Sequence, residues 1–317
     1  MLGDDEPIIC FYGGEPLLNS RFIKVVMERF SDAKFVMQTN GILIRRLEPK
    51  YWLKFDTILL SIDGRKEITD YYRGFGVYDK VIEAAKWLRM IGFNGDLIAR
   101  MTISEHSDIY KDVTHLLSLN LFNHIHWQLD VIWSQRWRDF DKWCDNSYIP
   151  GLRRLIGMWL DKAENGVVLG IVPIIGILSV MIKGGVIDQP PCGAGLNSVA
   201  ISTDGTILAC PIAVDVEWAK LGNLAEHDRE SVLGKIRIGE PCTSCPYLKY
   251  CGGRCLYAHM ERLWGEDGFR KVCRLTISLI DELMSIRDHV LRLIRDGVIS
   301  EEQITYPPFN NTTEIIP

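Results

Sequence analysis

Seven of the nine cysteines fall between Cys192 and Cys273, while Cys10 and Cys144 stand alone. The crowded set runs Cys192, twelve residues, Gly205, four residues and Cys210, then Cys242-x2-Cys245-x5-Cys251-x3-Cys255 and Cys273. An odd number of thiols cannot all pair as disulfides. The opening residues show no charged region followed by an apolar one, as a secretory signal would. A reducing, cytoplasmic location is therefore expected, and dense reduced thiolates suit a metal centre. Zinc takes four ligands, often from paired CxxC knuckles, and one CxxC among seven thiolates fits one zinc poorly. Iron–sulfur clusters take cysteines in sets of four, so seven thiolates suit two clusters with one iron left without a cysteine. Gly252-Gly253 would relieve crowding where backbone approaches such a cluster. A zinc-only structural module is the weaker alternative. Cys10 and Cys144 read as small buried hydrophobes.

A second constellation lies near the start. Gly13-Gly14-Glu15-Pro16 follows a short apolar run, Pro7–Tyr12, and brings a carboxylate to a flexible backbone at the head of a helix. Gln38-Thr39-Asn40-Gly41 ends the next strand-like segment and Ser61-Ile62-Asp63-Gly64 the one after. Polar groups recurring at the carboxyl ends of successive parallel strands are what an α/β active site requires.

The elements that must position these groups alternate in type. Strands are expected at Pro7–Tyr12, Lys34–Gln38, Thr57–Ile62, Leu97–Ile103 and His124–Val131. Helices are expected around Arg46–Lys54, Val77–Met90 and Ile109–Leu119, with a helical stripe through Phe22, Val25, Val26 and Phe30. That order argues for a parallel sheet of βαβ units. A helical region from about Asp139 to Asn165 should break at Pro150-Gly151. Ser198–Ser202 and Thr206–Ala209 flank Thr203-Asp204-Gly205 as a hairpin, and a helix at Lys271–Arg295 closes the fold. Trp133, Trp137, Phe140 and Trp143 read as core, and His124 with His126 as a satisfied pair on one strand face.

Length and composition bound the rest. At 317 residues the chain has room for about two domains. Hydrophobic residues are 47%, charged residues 24% and the net charge −5, which excludes disorder and gives no basic footprint for nucleic acid. The longest mostly apolar run, Val167–Ile182, is shorter than the roughly 20 residues of a membrane span and reads as buried core. Neither a nucleic-acid nor a membrane partner is expected.

Together, Gly13–Pro16, Asn40, Ser61–Gly64 and the seven cysteines resemble those of radical S-adenosylmethionine (SAM) enzymes with a C-terminal SPASM domain, of the kind that modify peptides or proteins. The resemblance implies an α/β fold: a partial (β/α)6 barrel missing its first βα unit over residues 1–135, a helical linker over 136–188, and a small Cys-rich SPASM domain with a C-terminal helix over 189–317. It implies that Gly13, Gly14 and Glu15 hold the SAM amino group, that Asn40 and Ser61 contact SAM from the strand ends, and that Arg73 meets the SAM carboxylate. Cys242, Cys245, Cys251 and Cys273 would ligate an outer auxiliary [4Fe–4S] cluster. Cys192, Cys210 and Cys255 would ligate an inner one, with Asp188 a candidate for its open iron. The implied reaction starts from a 5′-deoxyadenosyl radical acting on a ribosomally made peptide, with electrons from a ferredoxin or flavodoxin. Two departures qualify this. No CxxxCxxC precedes Gly13, so the chain as written is not expected to cleave SAM by itself and reads as a truncated form; the alternative is a non-catalytic iron–sulfur binding or electron-transfer protein. Pro211 stands where sulfatase maturases carry an aspartate, which argues against that substrate.

Overall fold

Thr57-Ile58-Leu59-Leu60-Ser61 is buried at all five positions, as a strand covered on both faces must be. The computed structural model describes residues 7–131, 134–135 and 137–306. In it this segment is the middle of a five-stranded parallel sheet in sequence order: β1 (Ile8–Phe11), β2 (Lys34–Thr39), β3 (Thr57–Ser61), β4 (Asp96–Ile103) and β5 (His124–Leu129). Register runs Phe11 to Met37, Thr39 to Leu60, Ser61 to Arg100 and Ile103 to Leu129, so the strands end at one rim. The connecting helices are α1 (Ser20–Arg29), α2 (Lys66–Arg73), α3 (Val77–Met90) and α4 (Ile109–Ser118).

The chain divides into two compact units. The first is Leu2–Leu129 with Gly170–Val172, and the second is Asp130–Leu169 with Pro173–Pro317. In the first, Ile171 bridges to Ile125 along the outer side of β5, and the Ile125 amide donates to Gly170 O at 2.7 Å. A Cβ at Gly170 would stand 2.1 Å from Asn123 O, so only glycine permits this approach. On the opposite edge, no described strand pairs with the outer side of β1.

The second unit carries α5 (Ile149–Glu164), most of α6 (Val172–Lys183), α7 (Leu256–Glu261) and the long α8 (Gly265–Arg295), against which α5 packs. A small antiparallel sheet, β6 (Ala200–Ile201), β7 (Thr206–Leu208) and β8 (Lys220–Asn223), adds one strand to the expected hairpin. Asp204 closes that turn by accepting from the Thr206 amide at 2.9 Å and from the Ser202 hydroxyl. These hydrogen bonds hold its carboxyl down at about 2. Among the described residues no helix is long and apolar enough to cross a membrane.

Several expectations are corrected. On α1 the buried residues are Ile23 and Met27, whereas Phe22, Val25 and Phe30 are 57%, 56% and 40% exposed; the inward stripe is set by the neighbouring elements, one position away from the most apolar face. The helix expected at Arg46–Lys54 is a 3-10 turn, Ile44–Arg46, and one helical turn at Pro49–Trp52. Pro49 forces Glu48 into extended backbone and so prevents an earlier start. Pro150 does not break its helix. A π-helical turn over Cys144–Tyr148 leads straight into α5 with Pro150 in its first turn, where a missing N–H costs least. α2 was not foreseen, and α8 begins six residues early, with Glu266 and Asp267 in its first turn complementing the helix dipole. Trp137, Phe140 and Trp143 are core as expected; Trp133 lies outside the described residues.

Candidate functional site

At the rim of the parallel sheet, β1 gives way to Gly13 (φ +88°) and Gly14 (φ +51°), both left-handed. Nothing lies within 4 Å of where a Cβ on either would stand, so the turn is open on that side. Glu15 then caps the 3-10 helix Pro16–Asn19, its Oε1 accepting from the Leu17 amide at 3.1 Å. The same oxygen accepts from the Thr39 hydroxyl at 2.7 Å, and Oε2 accepts from the Asn40 amide at 2.9 Å. Glu15 therefore ties the end of β1 to the end of β2. A carboxylate oxygen offers two lone pairs: Oε1 is full and Oε2 has one position left. Asn40 Oδ1 accepts from the Ile42 amide at 2.9 Å.

Ser61 is buried at the end of β3. Two residues on, Asp63 is 1% exposed and binds Arg73 through a fork, Nε to Oδ2 and Nη2 to Oδ1, each at 2.7 Å. Its Oδ1 also accepts from the Thr102 amide at 2.8 Å. One carboxylate thus joins the ends of β3, α2 and β4. Arg73 carries five N–H groups, and the fork engages two. Gly64 (φ +110°) could not be another residue, since its Cβ would stand 2.4 Å from the Asp112 side chain. Sequence reasoning singled out Arg73 and included Asp63 within the Ser61–Gly64 strand end, but did not pair the two. The missing signal was the helix between them, which brings residues ten apart into one fork.

The cysteine segment lies in the second unit. Each of the nine cysteines is outside any disulfide. Cys242 and Cys245 share a tight turn, the Cys245 amide donating to Cys242 O at 2.9 Å. Cys251 ends a short helix, followed by Gly252 (φ +58°) and Gly253 (φ +74°). A Cβ on Gly252 would fall 2.0 Å from Gln189 O, and one on Gly253 2.8 Å from Ile238, so close packing here requires both glycines. Cys273 is on α8.

Burial raises the Cys242 thiol to about 11, and the charges of Cys273, Cys251 and Cys245 add to the shift. Cys251 and Cys273 are raised mainly by burial and, to a lesser extent, by Cys245. These four thiols thus form one electrostatic group. Cys210 and Cys255 both act on the buried Tyr257 hydroxyl, which is raised first by burial, and Cys210, Cys242 and Cys255 share one core on which Cys192 and Cys273 also pack. Asp188 is exposed. Among the described residues, no three His, Cys, Asp or Glu side chains are grouped to hold one metal ion. A cubane differs in kind, because each thiolate meets a different iron. The donor set, four neighbouring soft thiols beside an αL-Gly backbone, fits such a group.

Other features resolve into structure. Cys10 packs against Val36, Leu59 and Ile98, and Cys144 is buried. His124 Nδ1 pairs with Asp96 Oδ1 at 2.7 Å, while His126 is fully buried.

No protein-family model matches this chain. It is 26% identical over 270 residues to an uncharacterized protein of Archaeoglobus fulgidus, covering 78% of this chain and 62% of that protein. It is 33% identical over 107 residues to one of Methanothermobacter thermautotrophicus, covering 31% and 41%. The chain thus spans less than two thirds of these curated relatives. Among solved structures, anSMEcpe with bound AdoMet superposes with a TM-score of 0.69 at 19% identity, over 90% of this chain and 84% of that one. The same protein with AdoMet and the Kp18Cys peptide gives 0.65 at 19%, over 89% and 85%. Streptococcus suis SuiB bound to its precursor peptide SuiA gives 0.53 at 19%, over 80% and 62%. The shared feature is the fold, a mixed α/β architecture with a five-stranded parallel sheet.

Proposed function

We propose that this chain is the SAM-binding and auxiliary-cluster portion of a radical SAM enzyme with a SPASM domain, acting on a ribosomally made peptide or protein. What supports this reading is the gathering of Cys192, Cys210, Cys242, Cys255 and Cys273 about one core, with Cys245 and Cys251 near enough to Cys242 to act on it. The division into one set of Cys242, Cys245, Cys251 and Cys273 and another of Cys192, Cys210 and Cys255 is part of the proposal. The AdoMet and peptides bound by the fold neighbours support it. When bound, SAM and the [4Fe–4S] clusters supply the one-electron chemistry, with a ferredoxin or flavodoxin as electron source.

The chain's own residues bind and orient. The open Gly13-Gly14 turn admits the methionine end of SAM. The remaining lone pair of Glu15 Oε2 accepts from its ammonium. Arg73, held at one edge by Asp63, offers its three other N–H groups to the carboxylate, where paired donors match paired oxygens. Asn40 and Ser61 complete the rim at the ends of β2 and β3. The edge of β1 that no described strand pairs, with the exposed Phe22 and Val25 of α1 and Phe30 at its C-cap, favours a further βα unit on that side in the whole protein, since open apolar edges invite unwanted pairing. That unit would bring the three cysteines of the SAM-cleaving cluster.

Anaerobic reconstitution with iron and sulfide, followed by metal and acid-labile sulfide analysis, tests the reading. About eight of each per chain is expected for two [4Fe–4S] clusters. A chain that retains zinc alone, or no metal, contradicts it.

A further inference from the structure

His259 sits on α7, four residues after Cys255, in no motif that the sequence brought forward. It is 5% exposed, and its ring lies edge-on to Phe269, with centroids 6.1 Å apart. Both ring nitrogens meet the turn that carries Cys242. Nε2 is 3.1 Å from the Gly239 amide nitrogen, and Nδ1 is 3.6 Å from Cys242 Sγ. The turn itself closes through the Cys242 amide donating to Gly239 O at 3.0 Å.

These contacts fix the tautomer. A backbone amide can only donate, so Nε2 must accept, and in a neutral imidazole the proton then resides on Nδ1. Nδ1–H points to sulfur. Arg262 Nη1, 3.4 Å from Nδ1, then faces a donor and makes no hydrogen bond there; its Nη2 donates instead to Glu240 O at 2.5 Å.

We propose that His259 is a positioning residue for the Cys242 thiolate, clamping the Gly239–Cys242 turn through Nε2 while Nδ1–H donates to the sulfur. The inference rests on the reading of Cys242 as a cluster ligand. Hydrogen bonds to ligating sulfur are one of the protein's levers on cluster potential: an N–H donor withdraws electron density and eases reduction. His259 therefore sets the potential of the four-cysteine site apart from that of the Cys192, Cys210 and Cys255 site.

The two nitrogens can be separated by substitution. An asparagine amide reaches about as far as Nδ1, and a glutamine amide about as far as Nε2. On the reconstituted full chain, potentiometric titration followed by electron paramagnetic resonance should show His259→Asn close to wild type. His259→Gln should retain full iron content, with one of the two potentials lowered. We expect the reduced-to-oxidised ratio of that site to fall about tenfold at fixed potential, or about 59 mV for a one-electron couple. Equal potentials in wild type and His259→Gln, at full iron content, overturn the role of His259 while leaving the cluster reading intact. A wild-type chain that takes up no iron overturns both. Should a variant fail to fold, long-range ¹H–¹⁵N spectra of histidine-labelled wild type decide the point. A proton on Nδ1 with a bare Nε2 supports the inference, and the opposite tautomer contradicts it.

Discussion

The polar groups at the sheet rim have already found one another, whereas the thiols of the cysteine segment lie together without being joined into one such hydrogen-bonded frame, Cys242, Cys251 and Cys273 each holding its proton. Glu15 is fixed by three donors, one from its own 3-10 turn and two from the end of β2, and Arg73 is forked onto a buried carboxylate that β4 also holds. That region is preorganised by its own hydrogen bonds. In the second unit, Cys242 is raised by burial and then by three neighbouring thiols. At neutral pH Cys242, Cys251 and Cys273 therefore keep their protons, and a metal group taking them up as thiolates would have to displace those protons. The first site is held by its own hydrogen bonds; on the proposed reading, the second is completed by its clusters.

The largest expected effect follows from that contrast. Stripping iron from the reconstituted chain should expose residues 186–264 to proteolysis and hydrogen exchange by a thousandfold or more, about 4 kcal/mol, while β1–β5 keep their protection. Equal loss in both units would break the comparison. Next, Arg73→Ala leaves Asp63 buried with only the Thr102 amide, and should cost about 2 kcal/mol or more in denaturant unfolding of the first unit. The exposed Lys66, paired with Asp79, serves as a control, and Lys66→Ala should change stability by less than about 0.5 kcal/mol. Glu15→Gln should cost about 1 kcal/mol of stability and lower SAM affinity about tenfold in isothermal titration, since a neutral amide attracts an ammonium less.

A smaller effect is tied to pH. Burial pushes the Cys144 thiol to about 12, from an ordinary value near 9. Below pH 9 both folded and unfolded thiols hold their proton and the group is neutral to stability. Between pH 9 and 12 only the unfolded chain ionises, so stability falls as pH rises. Cys144→Ala should flatten that decline in urea unfolding measured at pH 8 and pH 10; an unchanged slope would count against it.

Much of the sheet was legible because buried parallel strands leave apolar runs between polar strand ends: Thr57–Ser61 and Asp96–Ile103 came within a residue or so of expectation. The helix at Lys66–Arg73 was not. Its segment, Lys-Glu-Ile-Thr-Asp-Tyr-Tyr-Arg, buries only Ile68 and Thr69, too few positions to show a period. The phase of α1 was misread because its most apolar face is the exposed one, and hydropathy alone cannot tell a covered face from an uncovered one. Cys spacing raised the expectation of a metal centre, and the division of the thiols into sets came from family resemblance. The pairing of Asp63 with Arg73 and the placement of His259 beside Cys242 were missed for a shared reason, since each depends on a partner brought close only by folding.

The account depends most on the thiols forming two separate sets. Iron content of reconstituted Cys245→Ala, Cys210→Ala and the double variant tests this directly. Each single variant is expected to lose about four irons while the rest remain, and the double variant to lose nearly all. Complete loss from either single replacement, or no loss from both, would contradict it.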